Sequence, residues 1–305
     1  MSASFTTALV AAHDAAASQH YPQGSLYVVA TPIGNLADIT LRALHVLKLA
    51  DTIACEDTRH TQSLLRAYGI DKASSQMIAL HQHNELEAAQ QVIERLRLGQ
   101  RIAYTSDAGT PAISDPGARL VAAVRAQSLQ VIPLPGASSI TTALCAAGLC
   151  PENAQGEGFV FVGFLPSKAG ERAQAIELLS AEPRAIVLLE APHRIIALAG
   201  ALSVLAERHL TVARELTKQY EEIATLSAAS FPGWLAEQAH RTRGEFVLVL
   251  HPTTPAVDQG QSQRILSLLL DVLPLKSAVK LAAEISGEPR NALYEAALLL
   301  KKDLD

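Results

Sequence analysis

SLYVVATPIGNLADITLRALHVLKL, residues 25–49, decides the fold. Ser25–Ala30 is a short apolar run rich in strand formers and is broken at Thr31-Pro32, which predicts a strand followed by a loop. From Leu36 to Leu49 the apolar positions recur at helical spacing. Strand, polar Gly/Pro loop and helix are the repeating half of an α/β sheet. The unit recurs downstream. Strands predicted at Asp51–Cys55, Met77–Leu80, Arg101–Thr105 and Leu129–Pro133 alternate with helices predicted at Arg59–Tyr68, Leu86–Leu98 and Gly117–Gln127. Such alternation predicts a mostly parallel sheet with helices on both faces.

Pro133–Ser139 reads as a hinge into a second unit of the same class. Strands are expected there at Phe159–Phe164, Arg184–Glu190, Thr211–Arg214 and Phe246–Leu250. Helices are expected at Ala169–Ser180, Arg194–Leu205 and Ser230–Thr242. The predicted organisation is a disordered Ala/Ser/Gln-rich arm over 1–23, an N-terminal α/β domain over 24–135 and a C-terminal α/β domain over 136–251. A linker over 252–262 and a helical tail over 263–305 follow. In the tail, Ser277–Ile285 and Pro289–Leu300 predict two helices joined at Ser286-Gly287, with Pro289 suited to a first turn. They read either as a helix-turn-helix or as a docked two-helix cap.

The bulk numbers bound the class. Of 305 residues, 49% are hydrophobic and 18% charged, enough apolar material for a full core and too much for a disordered chain. The net charge of −5 argues against a broad basic face and leaves room only for local cationic clusters. The three cysteines, Cys55, Cys145 and Cys150, form no C-x-x-C pair and read as reduced, mostly buried thiols. No apolar run approaches the roughly 20 residues of a membrane helix. Residues 1–23 hold no Lys or Arg, the charged start of a secretory signal. The expectation is a soluble, cytoplasmic protein with no membrane partner. No G-x-G-x-x-G follows the first strand and no Walker A motif is present, which argues against a standard dinucleotide or nucleoside triphosphate site. His81-x-His83 has no Cys or carboxylate at metal spacing beside it, so no metal is expected.

Four loops carry the chemistry, each at the C-terminal end of a predicted strand, where open α/β sheets bind ligands. The first is TPIGN, 31–35, in which Gly34 permits a sharp turn. The second is CEDTRH, 55–60, where Asp57 or Thr58 can cap the next helix, but Glu56, Arg59 and His60 need another reason. The third is SDAGTPAISDPG, 106–117, dense in Gly, Pro, Asp and Ser. The fourth is PLPGASS, 133–139, in which Ser138 can serve as cap and as ligand contact. In the second unit, EAPHR (190–194), RELTK (214–218) with Glu221, and RGE (243–245) again set charges at strand ends. Salt bridges between the halves would account for Glu215 and Glu245.

These motifs, with GFLP (163–166) and GEFVLVL (244–250), occur in an order that resembles the RsmI-type ribosomal RNA small-subunit methyltransferases of the tetrapyrrole-methylase superfamily, over residues 24–250. The resemblance implies two α/β domains with S-adenosylmethionine bound in the cleft between them, a small C-terminal helical tail and a homodimer. It implies that Pro32, Ile33 and Gly34 border the methionine part of the cofactor. Asp107, Gly109, Thr110, Ile113, Ser138 and Ser139 would contact it from the first domain. Phe164, Leu165, Glu190, Ala191 and Pro192 would approach from the second. The implied reaction is 2′-O-methylation of a cytidine ribose in 16S rRNA within the 30S subunit, with no metal required. The alternatives are a small-molecule methylase of tetrapyrrole type and a non-catalytic ribosome-assembly protein that binds RNA.

For methyl transfer to a hydroxyl, Glu56 or Asp57 is the candidate to accept the proton or orient the base. Lys218 is the alternative if its amine is desolvated. Arg59 with its neighbour His60, Arg194 and Arg214 are the candidates to hold RNA phosphates, where a guanidinium fork fits well. Arg290, Asn291 and Tyr294 are the candidates in the tail.

Overall fold

The computed structural model describes residues 5–81, 84–113, 115–149, 158–253 and 259–302. The chain runs through α1 (Thr6–Ala16), β1 (Ser25–Val29), α2 (Leu41–Leu49), β2 (Thr52–Cys55), α3 (Thr58–Ala67), β3 (Met77–Ala79), α4 (Glu85–Arg97), β4 (Ile102–Thr105), α5 (Gly117–Ala126), β5 (Gln130–Leu134) and α6 (Ser139–Ala146). The five strands form one parallel sheet in the order β3-β2-β4-β1-β5. β1, β2 and β4 are buried along their whole length, as strands covered on both faces must be. Leu44, Leu47 and Leu65 cover one face with Ile53. Val92, Leu96, Leu120 and Val124 cover the other with Leu26 and Ile102. Because the strands are parallel, all four polar loops emerge along one edge of the sheet.

The second unit holds β6 (Phe159–Gly163), α7 (Ala169–Ser180), β7 (Ala185–Glu190), α8 (Ile195–Leu202), β8 (His209–Arg214), β9 (Glu222–Ser227), α9 (Phe231–Glu237) and β10 (Phe246–Leu250). Its sheet order is β6-β7-β10-β8-β9. Only β6 and β7 are parallel here; β10 runs antiparallel to β7 and β8, and β9 to β8. Helix α6 packs on this second sheet: Ile140, Ala143 and Ala147 bury against Val187, Ala213, Val247 and Val249. Ile33, from the loop after β1, joins the same cluster, so an apolar seam ties the two units together.

The arm expected to be disordered is a helix over most of its described length. Leu9, Ala12 and Ala16 of α1 bury against α2, with Tyr21 in the same cluster. The buried stripe is mostly alanine, which carries little apolar signal in a sequence. Residues 1–4 lie outside the described part. Among the described residues the tail holds three helices, not two: α10 (Gln259–Leu270), α11 (Leu275–Ser286) and α12 (Arg290–Lys302). α10 begins inside the expected 252–262 linker, of which 254–258 lie outside the described residues, as do 303–305. Leu266, Val279, Ala282, Leu293 and Ala297 form a core of their own. α11 stops at Gly287, whose φ of 73° is the left-handed conformation that ends helices.

Cys55 is buried and its thiol is pushed up to about 11 by burial, whereas Cys145 is exposed and so departs from the buried expectation. Cys150 and His83 lie outside the described residues. Among the described residues no group of three His, Cys, Asp or Glu is placed to hold a metal ion, and no helix is long and apolar enough to cross a membrane.

Candidate active site

The 106–117 loop is bonded to each of the other three. Its Gly109 exchanges two backbone hydrogen bonds with Thr31, at 2.9 and 3.0 Å. The backbone N–H of Asp107 donates to Glu56 Oε1 at 3.2 Å, and Thr110 Oγ1 donates to the Ala137 carbonyl at 2.9 Å. The loop is braced from within by Asp115, which accepts from the backbone N–H groups of Ala112 and Gly117 at 2.6 Å and from the Tyr104 hydroxyl at 3.1 Å. Asp115 was not a candidate from sequence. An Asp two residues before the first residue of a helix was the available signal.

Two adjoining cavities open between this loop cluster and the second unit. One, of about 230 Å3, is lined by Glu56, Asp107, Gly109, Thr110, Ile113, Asp115, Ser138 and Ser139, with Ile140, Phe164 and Leu189. The other, of about 330 Å3, shares Ala108, Ser139, Phe164 and Leu189 with it and adds Ile33, Glu190, Ala191, Pro192, Leu216 and Glu245. Most of the expected cofactor contacts are therefore brought together from five loops and two sheets. Three are not. Leu165 is buried in the second unit's core, and neither Pro32 nor Gly34 lines either of these two cavities. Gly34 has a different duty. A Cβ on it would lie 2.4 Å from Lys218 Cγ and 3.1 Å from the Leu216 carbonyl, so its lack of a side chain lets the 215–218 turn of the second unit close onto the first.

Neither cavity is lined by Lys or Arg, whereas Glu56, Asp107, Asp115, Glu190 and Glu245 all face one or the other. That acceptor set repels phosphates and suits a cationic ligand with amine or hydroxyl donors. Glu190 sharpens the point. Its Oε1 accepts from the Ala191 N–H at 2.9 Å and lies 3.1 Å from Arg194 Nε, while its buried Oε2 has no hydrogen-bond partner among the described residues. A buried carboxylate oxygen on a cavity wall is an acceptor awaiting a donor. The apolar faces of Ile113, Phe164 and Leu189 suit a flat ring. S-adenosylmethionine, a sulfonium carrying an amine, ribose hydroxyls and an adenine, fits this set.

The candidate bases divide clearly. Burial raises the Glu56 carboxyl above the usual range, partly offset by the Asp107 N–H. Asp57 caps α3, accepting from the N–H groups of His60 and Arg59, which lower its pKa. It is the weaker base. Lys218 is not a desolvated amine. Burial acts to lower its pKa, but hydrogen bonds to Glu215 at 2.8 Å and Glu245 at 2.9 Å outweigh that and raise it. Glu215 and Glu245 are thus paired within the second unit, not across the two halves.

Two of the candidate phosphate ligands point inward. Arg194 donates to the Leu165 carbonyl and flanks Glu190. Arg214, 5% exposed, donates to the Arg243 and Tyr220 carbonyls and to Glu222. Neither guanidinium is free for a phosphate. Arg59 and His60 are exposed beside the cavity mouth at the start of α3. Arg290, Asn291 and Tyr294 are exposed on α12, with Arg290 3.5 Å from Glu284.

The family model described as Tetrapyrrole (Corrin/Porphyrin) Methylases matches residues 25–231, and that of the RsmI C-terminal HTH domain matches residues 256–301. The chain is 45% identical over 280 residues to a protein of Escherichia coli O157:H7 named ribosomal RNA small subunit methyltransferase I, covering 90% of this chain and 95% of that one. A protein of the same name from Neisseria meningitidis serogroup B is 44% identical over 93% of this chain and 97% of its own. Among solved structures, the uroporphyrin-III C-methyltransferase of Thermus thermophilus superposes with a TM-score of 0.53 at 20% identity, covering 75% of this chain and 94% of that one. A complex of that enzyme with S-adenosyl homocysteine superposes at 0.51 and 17% identity, covering 74% and 97%. A diphthine synthase superposes at 0.56 and 14% identity, covering 75% and 91%.

Proposed function

This chain belongs to the tetrapyrrole (corrin/porphyrin) methylases, within the ribosomal RNA small subunit methyltransferase I group, and on that premise we propose that it methylates the 2′-hydroxyl of a cytidine in 16S rRNA of the small ribosomal subunit. The observation that carries this reading is the inter-unit cavity, rich in carboxylates and free of Lys and Arg, with Glu56 on its wall. The relatives at 44–45% identity support ribosomal RNA as the substrate class.

S-adenosylmethionine, when bound, supplies an electrophilic methyl group on a sulfonium. The protein's own task is alignment and proton removal. The 106–117 loop, fixed by its bonds to Thr31, Glu56 and Ala137, presents a rigid wall. Alignment of this kind is worth roughly 7–11 kcal/mol of barrier. Glu56 takes the proton of the incoming ribose hydroxyl, a contribution of about 10²–10⁴-fold. Its Oε1 already receives the Asp107 N–H, so Oε2 is the oxygen left for this. Arg59 and His60 outside, and Arg290, Asn291 and Tyr294 on the tail, contact the RNA. The enzyme acts in the cytoplasm as a homodimer.

The test is incubation with 30S subunits and methyl-labelled S-adenosylmethionine, followed by mapping of ribose methylation. Label in one cytidine 2′-oxygen is expected. Label only in a supplied tetrapyrrole would establish the small-molecule reading. No calorimetric affinity for S-adenosylmethionine would establish a non-catalytic RNA-binding role.

A further inference from the structure

On the far side of the 214–218 turn from the methyl-donor cavity lies a third cavity, of about 680 Å3. The two cavities share a partition. Leu216 and Glu245 face the donor cavity, while their neighbours Glu215 and Gly244 face the other. The partition is held in an unusual shape. Glu215 and Thr217 both adopt left-handed φ, 53° and 66°, a strained conformation for non-glycine residues that clusters at functional sites. A Cβ on Gly244 would lie 2.4 Å from Glu215 Cγ, so the two strand ends close tightly.

The charges of this third cavity are paired among the described residues with two exceptions, Arg243 and Glu221, whose carboxylate takes only a backbone N–H. Glu215 takes Lys218 and the Glu245 N–H, and Glu221 takes the Thr217 N–H at 2.6 Å. Glu222 takes Arg214 and Arg241, at 3.3 and 2.8 Å. Arg243, exposed on the rim, has no carboxylate partner among the described residues. Beside it stand the Tyr220 ring, 70% exposed, and the Gln219 amide. Arg214, buried beneath, holds the Tyr220 carbonyl and so fixes the backbone that presents the ring.

We propose that this cavity is a second RNA subsite, which takes an unpaired nucleotide flanking the target ribose, with its base on Tyr220 and its phosphate on Arg243. A free guanidinium fork matches a phosphate. An exposed aromatic ring is a stacking platform for any splayed-out base, the usual means of reading single-stranded RNA. The shared partition sets the subsite next to the methyl-transfer cavity, as a flanking nucleotide requires. The subsite rests on the ribosomal RNA reading given above.

The test compares the unaltered protein with Tyr220→Ala, Tyr220→Phe, Arg243→Gln and Arg243→Lys on 30S subunits at several salt concentrations. Tyr220→Ala and Arg243→Gln should each raise KM for the subunits about tenfold, with S-adenosylmethionine affinity by calorimetry within about twofold. Tyr220→Phe should restore the KM, because the ring and not the hydroxyl does the stacking. Arg243→Gln should flatten the salt slope by about one, and Arg243→Lys should restore it. An active unaltered protein whose variants all match it in KM and salt slope overturns the subsite alone. An unaltered protein that binds S-adenosylmethionine but leaves 30S subunits unmethylated overturns the functional reading, and the subsite with it.

Discussion

Glu56 Oε1 accepts the backbone N–H of Asp107 at 3.2 Å, so a carboxylate on one loop holds the backbone of the next. An amide oxygen can keep that bond but cannot take a proton from a hydroxyl. Glu56→Gln should therefore cut methyl transfer at least tenfold while S-adenosylmethionine affinity, read by calorimetry, stays within about twofold. Asp57→Asn, which alters a helix cap and a weaker base, should cost far less. Equal activity in Glu56→Gln and the unaltered enzyme would move the base elsewhere.

The same residue links activity and stability to pH. Because burial raises its pKa, Glu56 gains its proton at a higher pH than an exposed carboxylate. Methyl transfer should decline on the acid side as pH falls through that raised value. For stability the sign is opposite. A carboxyl with a raised folded-state pKa favours folding at low pH, and that contribution is lost as pH rises through the raised value. Glu56→Gln should match or exceed the unaltered protein in Tm near neutral pH. The difference should close below about pH 4, where the carboxyl is protonated in both states. A lower Tm for the variant at neutral pH, with none at acid pH, would show that the charge is stabilised.

Asp107→Ala should weaken S-adenosylmethionine binding by about 1–3 kcal/mol, the cost of leaving a buried ligand donor unpaired. Asp107 lies at the cavity mouth and its side chain makes none of the bonds that brace the loop, so the fold should survive. Calorimetry on a folded variant reads the effect directly. Unchanged affinity would remove Asp107 from the cofactor's contacts.

Gly34→Ala should destabilise the protein by about 1–3 kcal/mol, the usual cost of overpacking. The new Cβ would collide with Lys218 Cγ and with the Leu216 carbonyl, and Leu216 lines the donor cavity. Loss of Tm should thus come with loss of cofactor affinity. A variant that loses neither would mean the 215–218 turn yields easily.

A chain truncated after Pro255 should keep its main thermal transition and its S-adenosylmethionine affinity, because the tail's core is separate from those of the α/β units. Its affinity for 30S subunits should fall and the salt dependence of binding should become shallower as phosphate contacts are lost. Undiminished binding and methylation at every salt concentration would make the tail a structural cap.

The parallel sheet was legible because its strands are apolar and its loops gather Gly, Pro and Asp between them. Elements that bury little side-chain volume were not. α1 buries Leu9, Ala12 and Ala16 at helical spacing, yet two of the three are alanine. β9 is an edge strand whose burial alternates and whose residues include Glu222, Thr225 and Ser227, so no apolar run marks it. The loops that line the two cavities between the units were legible for the same reason as the sheet. The directions of long side chains were not. Arg194 and Arg214 have the residue type and strand-end position of phosphate ligands, but each turns inward to carbonyls that only the folded chain supplies. Arg243, the guanidinium left free, carries no sequence mark that sets it apart from them.

The separate core of the tail has a consequence for how this protein can change. Substitutions far apart and without shared partners act independently, so repacking around Leu266, Val279 and Leu293 leaves the donor cavity unaffected. The tail can drift, or be exchanged for another, while the two α/β units keep their own packing.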